Sequence, residues 1–193
     1  MIKIGNFAHR LGNQLFQLAA MIGAAEKYGH EICWPEWEYA NYFVHNFTPG
    51  YESKIMWQHY YEEKFDYSPI PSLENLQIYG YFQSEKYFQH CKSIIRDYFT
   101  LKSEYKSNVT NECSIHVRRG DYVNLPNHHP TLSLNQYYIP AINLLTNVDN
   151  VTNFTVYSDD IEWCKNQFNT ASGNFTYVSG NTIEDFAGMI NSK

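Results

Sequence analysis

Two adjacent arginines dominate the chemistry this sequence can offer. They stand in His116-Val117-Arg118-Arg119-Gly120-Asp121, at the end of the short apolar run 113–117. Guanidiniums stay charged at any ordinary pH and present forked donors. A neighbouring pair can therefore hold a phosphate or pyrophosphate without a metal ion. Asp121 is placed to orient one of them, and His116 adds a second kind of donor. The plainer reading is a solvated surface pair with a local salt bridge, because such pairs are common.

Tyr157-Ser158-Asp159-Asp160 ends a second apolar run. A carboxylate there can accept two N–H bonds from a guanine edge. Ser158 or Asp159 can equally cap the helix that carries Trp163. The two acids are adjacent, not spaced as Asp-x-Asp, and give no argument for a divalent metal. Ala8-His9-Arg10-Leu11-Gly12-Asn13-Gln14 joins a first strand to a first helix. Gly12 and the N–H groups of that helix start suit an anion, with Arg10 reaching the same anion. Asn13 as N-cap is the simpler account. His128-His129-Pro130 has no third ligand at a useful spacing, so no metal and no cofactor is assigned.

Strands must carry these segments to one edge. The spacing predicts strands over 2–6 and 31–34, with a helix over 13–28 between them, its apolar face Leu15, Leu18, Ala19, Ile22 and Ala25, closed by Gly29. Residues 35–75 are aromatic and interrupted by Pro35, Pro49, Pro69 and Pro71. Trp34, Trp37, Tyr39, Tyr42 and Phe43 are either core or a sugar-stacking surface, with core the default. A strand over 76–82 and a helix over 85–99 follow, the helix with Tyr87, Cys91, Ile94, Ile95 and Tyr98 inward. The polar stretch 102–112 is the candidate domain boundary. Beyond it strands 113–117, 154–158 and 175–178 alternate with helices 136–145, 161–168 and 182–190. That alternation implies parallel βαβ units, whose ligands sit off the carboxyl ends of the strands.

Composition narrows the partners. The 193 residues carry 14 basic and 20 acidic side chains, a net charge of −6, which argues against nucleic acid. Aromatics make up 17%, with Tyr in excess of Phe. No apolar run approaches the ~20 residues of a membrane span, and the first residues do not resemble a signal peptide. Cys33, Cys91, Cys113 and Cys164 are scattered singly and read as reduced core thiols of a cytoplasmic protein.

Four segments, in order, resemble the bacterial-type α-1,2-fucosyltransferases of glycosyltransferase family 11. They are Leu11-Gly12-Asn13-Gln14-Leu15-Phe16-Gln17, Gly80-Tyr81-Phe82-Gln83-Ser84, the His-x-Arg-Arg-x-Asp set His116, Arg118, Arg119 and Asp121, and Ser158-Asp159-Asp160 with Trp163 and Cys164. The resemblance implies an α/β, GT-B-like fold of two Rossmann-like halves. Residues 1–112 would be the acceptor side and 113–193 a partial donor side. It implies metal-independent, inverting transfer of L-fucose from GDP-β-L-fucose to the 2-hydroxyl of a galactose-containing glycan. Arg118 and Arg119 would hold the pyrophosphate. His116 and Asp159 or Asp160 would contact guanine, with Ser158 and Asp121 beside them. Arg10, Gly12 and Asn13 would close on the phosphates or the fucose.

Family members run further, into a Ser-rich segment ending in Phe-Ser-Trp-Trp that this sequence does not show. The expectation is a donor half with an open sheet edge prone to self-association. The alternative to an active transferase is a truncated, non-catalytic homologue that binds nucleotide sugar weakly or serves as an interaction module. Peripheral association with a membrane is left open.

Overall fold

Three short segments, Ile2–Ile4 (β1), Gln58–Tyr61 (β2) and Leu76–Tyr79 (β3), form a parallel sheet in the order β1-β3-β2. The computed structural model describes residues 1–50, 54–107, 112–127, 130–169 and 171–192. Its contacts divide into two units, Met1–Lys102 and Ser103–Lys193.

In the first unit Leu76 and Ile78 of the central strand and Ile2 of β1 are fully buried. Helix α1, Leu11–Tyr28, presents Leu18, Ala19, Met21, Ile22 and Ala25 to the core. It stops at Gly29, whose φ of 71° puts the chain in the left-handed region that glycine enters without steric cost.

Three expectations for this unit change. Residues 31–34 form no strand, only a single bridge between Ile2 and Ile32. Pro35 offers no N–H to extend a ladder, and Trp34 turns to pack on His45, Phe47 and Tyr98. Conversely β2 lies inside the stretch read as irregular. Gln58-His59-Tyr60-Tyr61 is an edge strand with no buried residue, so it carries no apolar alternation. The helix expected over 85–99 is broken into two 3₁₀ turns, Glu85–Tyr87 and Gln89–Cys91, and a short α2, Lys92–Tyr98. The chain at Tyr87–Phe88 is pressed against Gly23 of α1, where a Cβ would lie 2.3 Å from the Tyr87 carbonyl oxygen. Phe88 leaves helical geometry there, with φ −137° and ψ 6°. Tyr87 and Cys91 are buried, whereas Ile94, Ile95 and Tyr98 are half-buried. The aromatic stretch is core: Trp37, Phe43 and Phe47 are buried and pack on one another.

The second unit holds the parallel strands Cys113–Val117 (β4), Asn153–Ser158 (β5) and Asn174–Val178 (β6), in the order β4-β5-β6. Their helices are α3, Ile139–Val148, entered through a π-helical turn at Leu134–Tyr138; α4, Ile161–Phe168; and α5, Thr182–Met189. Asn181 caps α5 in a reciprocal box with Glu184, which sets its start.

The central strand is buried on both faces. Phe154 and Val156 join Val117, Tyr138, Ile142, Cys164 and Phe168 in one core cluster. Burying each large apolar side chain contributes about 1.5–3 kcal/mol over leaving it in water. Tyr157, of opposite parity, lies against Gly188 of α5. All four cysteines are free, three of them buried. Among the described residues no helix is long and apolar enough to cross a membrane.

Candidate functional site

The carboxyl ends of β4 and β5 bring the two strongest motifs together. Val117 pairs with Ser158, so the loops that follow them leave the sheet side by side. Asp159 organises the arginine loop. Its Oδ1 accepts the backbone N–H groups of Arg119 (2.9 Å) and Gly120 (3.2 Å), and its Oδ2 lies 2.7 Å from Arg118 Nη1. Gly120 permits this approach: a Cβ there would stand 2.5 Å from Asp159 Oδ2. Asp121 takes the other terminal nitrogen of Arg118, as its spacing predicts, and the guanidinium lies 5.6 Å from the Tyr122 ring centre.

Arg119 is held differently. Its Nε donates to Asp160 Oδ2 at 3.0 Å, and its guanidinium lies over the Trp163 ring, 3.9 Å from the centroid. Nη1 and Nη2 of Arg119 have no partner among the described residues. The side chain is only 18% exposed, so its carbon stem is fixed while the forked end remains available. Asp160, and neither Ser158 nor Asp159, is the N-cap of α4, accepting from the Trp163 N–H at 3.2 Å. The Ser158 hydroxyl is buried, donating to the Val117 carbonyl and accepting from the Asp160 N–H. It ties the two strand ends and has no free face for a ligand.

His116 precedes Val117 and so lies on the opposite face of β4, towards α5. Its ring is open at the surface yet crowded by neighbouring atoms. This crowding holds its pKa below the usual histidine value; Asp159 and Asp185 oppose the shift and Arg118 adds to it. Asp185 accepts the Gly180 N–H at 3.1 Å. Burial pushes its carboxyl up; the Gly180 N–H and then His116 pull it back, and Glu184 adds to the rise.

In the first unit the Leu11–Gln17 and Gly80–Ser84 segments are cross-linked. Gln17 is buried, accepts the Ala8 N–H and donates to the carbonyls of Asn6 and Gly80, the latter at 2.7 Å. Gln83 donates to Asn13 Oδ1, and the Tyr81 hydroxyl meets His9 Nε2, both at 2.6 Å. Gln14 accepts from Trp37 Nε1 and donates to the His9 carbonyl. Asn13 lies inside the first turn of α1. The N-cap is Arg10, which uses no side-chain cap. Arg10 is exposed and makes no ion pair among the described residues. Gly12 faces open space.

The sequence thus located the arginine loop and the acids beside it, but missed the platform under Arg119 and the His116–Asp185 neighbourhood. Trp163 stands three residues after its cap, Asp160, a spacing that could have placed its ring beside the loop. Asp185 carries no such signal. His128 and His129 lie outside the described residues. Among the described residues no group of three or more His, Cys, Asp or Glu is placed to hold a metal ion.

The model of glycosyl transferase family 11 matches residues 5–193. An α-1,2-colitosyltransferase of Escherichia coli is 38% identical over 135 residues, covering 62% of this chain and 46% of its own. Galactoside α-(1,2)-fucosyltransferase 2 of Bos taurus is 24% identical over 94% of this chain and 61% of its own. Its Rattus norvegicus counterpart is 26% identical over 94% and 59%. The chain spans about half the length of these curated relatives. No solved structure shows significant similarity to it.

Proposed function

The chain belongs to glycosyl transferase family 11, and on that premise we propose that it transfers a 6-deoxyhexose, L-fucose, from its GDP derivative to the 2-hydroxyl of a galactoside. Arg118 and Arg119 hold the leaving pyrophosphate. The acceptor oxygen attacks the anomeric carbon with inversion, and the bond from that carbon to the phosphate oxygen breaks. GDP keeps the electron pair, and the hydroxyl proton leaves to a base or to water. Negative charge grows on GDP as the bond breaks, so fixed cations there lower the barrier.

The carrying observation is Arg119, clamped by Asp160 and Trp163 with its forked end unpartnered among the described residues. Asp159 and Asp121 orient Arg118 and the loop backbone. Ser158 joins the strands beneath them, and His116 with the strand-end acids lines the nucleoside side. Arg10, Gly12 and Asn13, at the start of the first helix, are further donor contacts in this reading. No metal is required in this scheme.

A donor carrying colitose in place of fucose is the second reading, favoured by the 38% identical colitosyltransferase. Transfer is measured with GDP-fucose and GDP-colitose onto lactose, with and without EDTA, in the wild type and in Arg118→Ala and Arg119→Ala. The expected result is EDTA-resistant transfer that falls about a hundred- to a thousand-fold in each variant. Arg119→Lys restores only part, because the ammonium lacks the fork. Transfer unchanged in both alanine variants rejects the site. GDP binding without transfer, lost in the same variants, reduces the chain to a donor-binding module.

A further inference from the structure

At the carboxyl ends of β2 and β3 the first unit carries a cavity of about 420 Å³, separate from every residue discussed as a donor contact. That volume is in the range of small-molecule sites. Its rim is aromatic and left in water: Tyr61 is 59% and Phe65 73% exposed. The rings are ordered against others. Tyr61 stacks on Tyr79 at 4.7 Å with 11° between planes, and Phe65 lies 5.6 Å from Tyr81.

The floor is built rather than left over. Glu62 Oε2 accepts the N–H groups of Tyr81 (2.7 Å) and Phe82 (2.9 Å), which holds Phe82 at a φ of 52°. Tyr79 lies over Gly5, where a Cβ would stand 2.1 Å from its ring. Gln17 pins the Gly80 carbonyl from below.

The lining chemistry selects the ligand. Glu62 and Glu63 face a single cation, Lys64, so the site does not favour an anion. Asn6, Glu63 and Lys64 supply donors and acceptors suited to neutral hydroxyls, while exposed flat rings suit an apolar C–H face. A pyranose has both, and a β-galactoside, with its axial 4-hydroxyl, has an unbroken C–H patch over carbons 3, 4 and 5. Resting on the transferase reading above, we propose that this cavity is a galactoside-binding subsite, with Tyr61 and Phe65 as its stacking platform.

The probe is methyl β-D-galactopyranoside, observed by saturation-transfer NMR on the full chain without nucleotide, with methyl α-D-mannopyranoside as control. The expected result is transfer strongest at H3, H4 and H5 of the galactoside and weak for the mannoside. Tyr61→Ala and Phe65→Ala, at exposed positions that leave the core intact, weaken binding about tenfold or more, and Tyr61→Phe retains it. Arg118→Ala leaves it unchanged. No transfer to the wild type, or binding unaffected by either alanine variant, overturns the subsite. GDP titration of the same samples separates the two readings. GDP bound without galactoside rejects this cavity alone, and galactoside bound without GDP rejects the donor site alone.

Discussion

Asp159 grips Arg118 at 2.7 Å while its other oxygen takes the backbone N–H groups of Arg119 and Gly120. One carboxylate therefore fixes a guanidinium and the loop that carries its neighbour. Together with Asp121 and Asp160 it sets three carboxylates around two arginines. The cost is a local excess of negative charge, which a phosphate would have to meet under the proposed donor reading. The return is a loop already in place, with Arg119 open at its end.

Asp159→Ala is expected to destabilise the second unit by about 1–3 kcal/mol, since two backbone donors and a guanidinium lose a partly buried acceptor. GDP affinity falls in the same variant, because the loop must then be ordered on binding. Denaturant unfolding and calorimetric titration measure the two effects. Higher GDP affinity would show that Asp159 acts chiefly as a competitor of phosphate.

Trp163→Leu keeps an apolar side chain on α4 and removes the ring 3.9 Å from Arg119. A cation–π contact of this kind contributes about 1 kcal/mol, or roughly fivefold in affinity. GDP binding should weaken by that factor with little change in melting temperature. Unchanged binding would mean that Asp160 alone aligns Arg119.

Gln17→Leu should cost the first unit about 2–4 kcal/mol. The Ala8 N–H and the carbonyls of Asn6 and Gly80 lose their partner in a place water reaches poorly. Thermal unfolding checks it. A loss below about 0.5 kcal/mol would show that water replaces the amide.

The His116–Asp185 neighbourhood gives an opposed pair of pH effects. His116 titrates below its ordinary 6.5, so its contribution to stability is present above that pH and is lost as pH falls through the folded value. Asp185 titrates above its ordinary 3.8, so its contribution is present below that pH and is lost as pH rises through the folded value. His116→Gln should flatten the stability profile on the acid side of 6.5. Asp185→Asn, still able to accept from Gly180, should leave stability at pH 7 equal or higher. A clear loss at pH 7 in Asp185→Asn would contradict the assigned sign.

Periodicity and punctuation were enough to order the strands and helices that follow residue 113 and to end α1. Val117, Phe154 and Val156 belong to short apolar runs that became buried strand residues, and Gly29 marks a helix end through local backbone chemistry. Such signals need only neighbours in the chain. The place of the arginine pair was legible for the same reason: the apolar run 113–117 ends just before it. Contacts across the chain were not legible. β2 has no buried residue and is a strand only because β3 offers it an edge. The break at Phe88 follows from Gly23 of α1 pressing on it from far along the sequence. Which acid caps α4 and which holds the loop depended on the register that sets Val117 beside Ser158. Burial then decided that Gln14, Gln17 and Ser158 hold the framework, because a polar side chain enclosed by the fold must use its hydrogen bonds there.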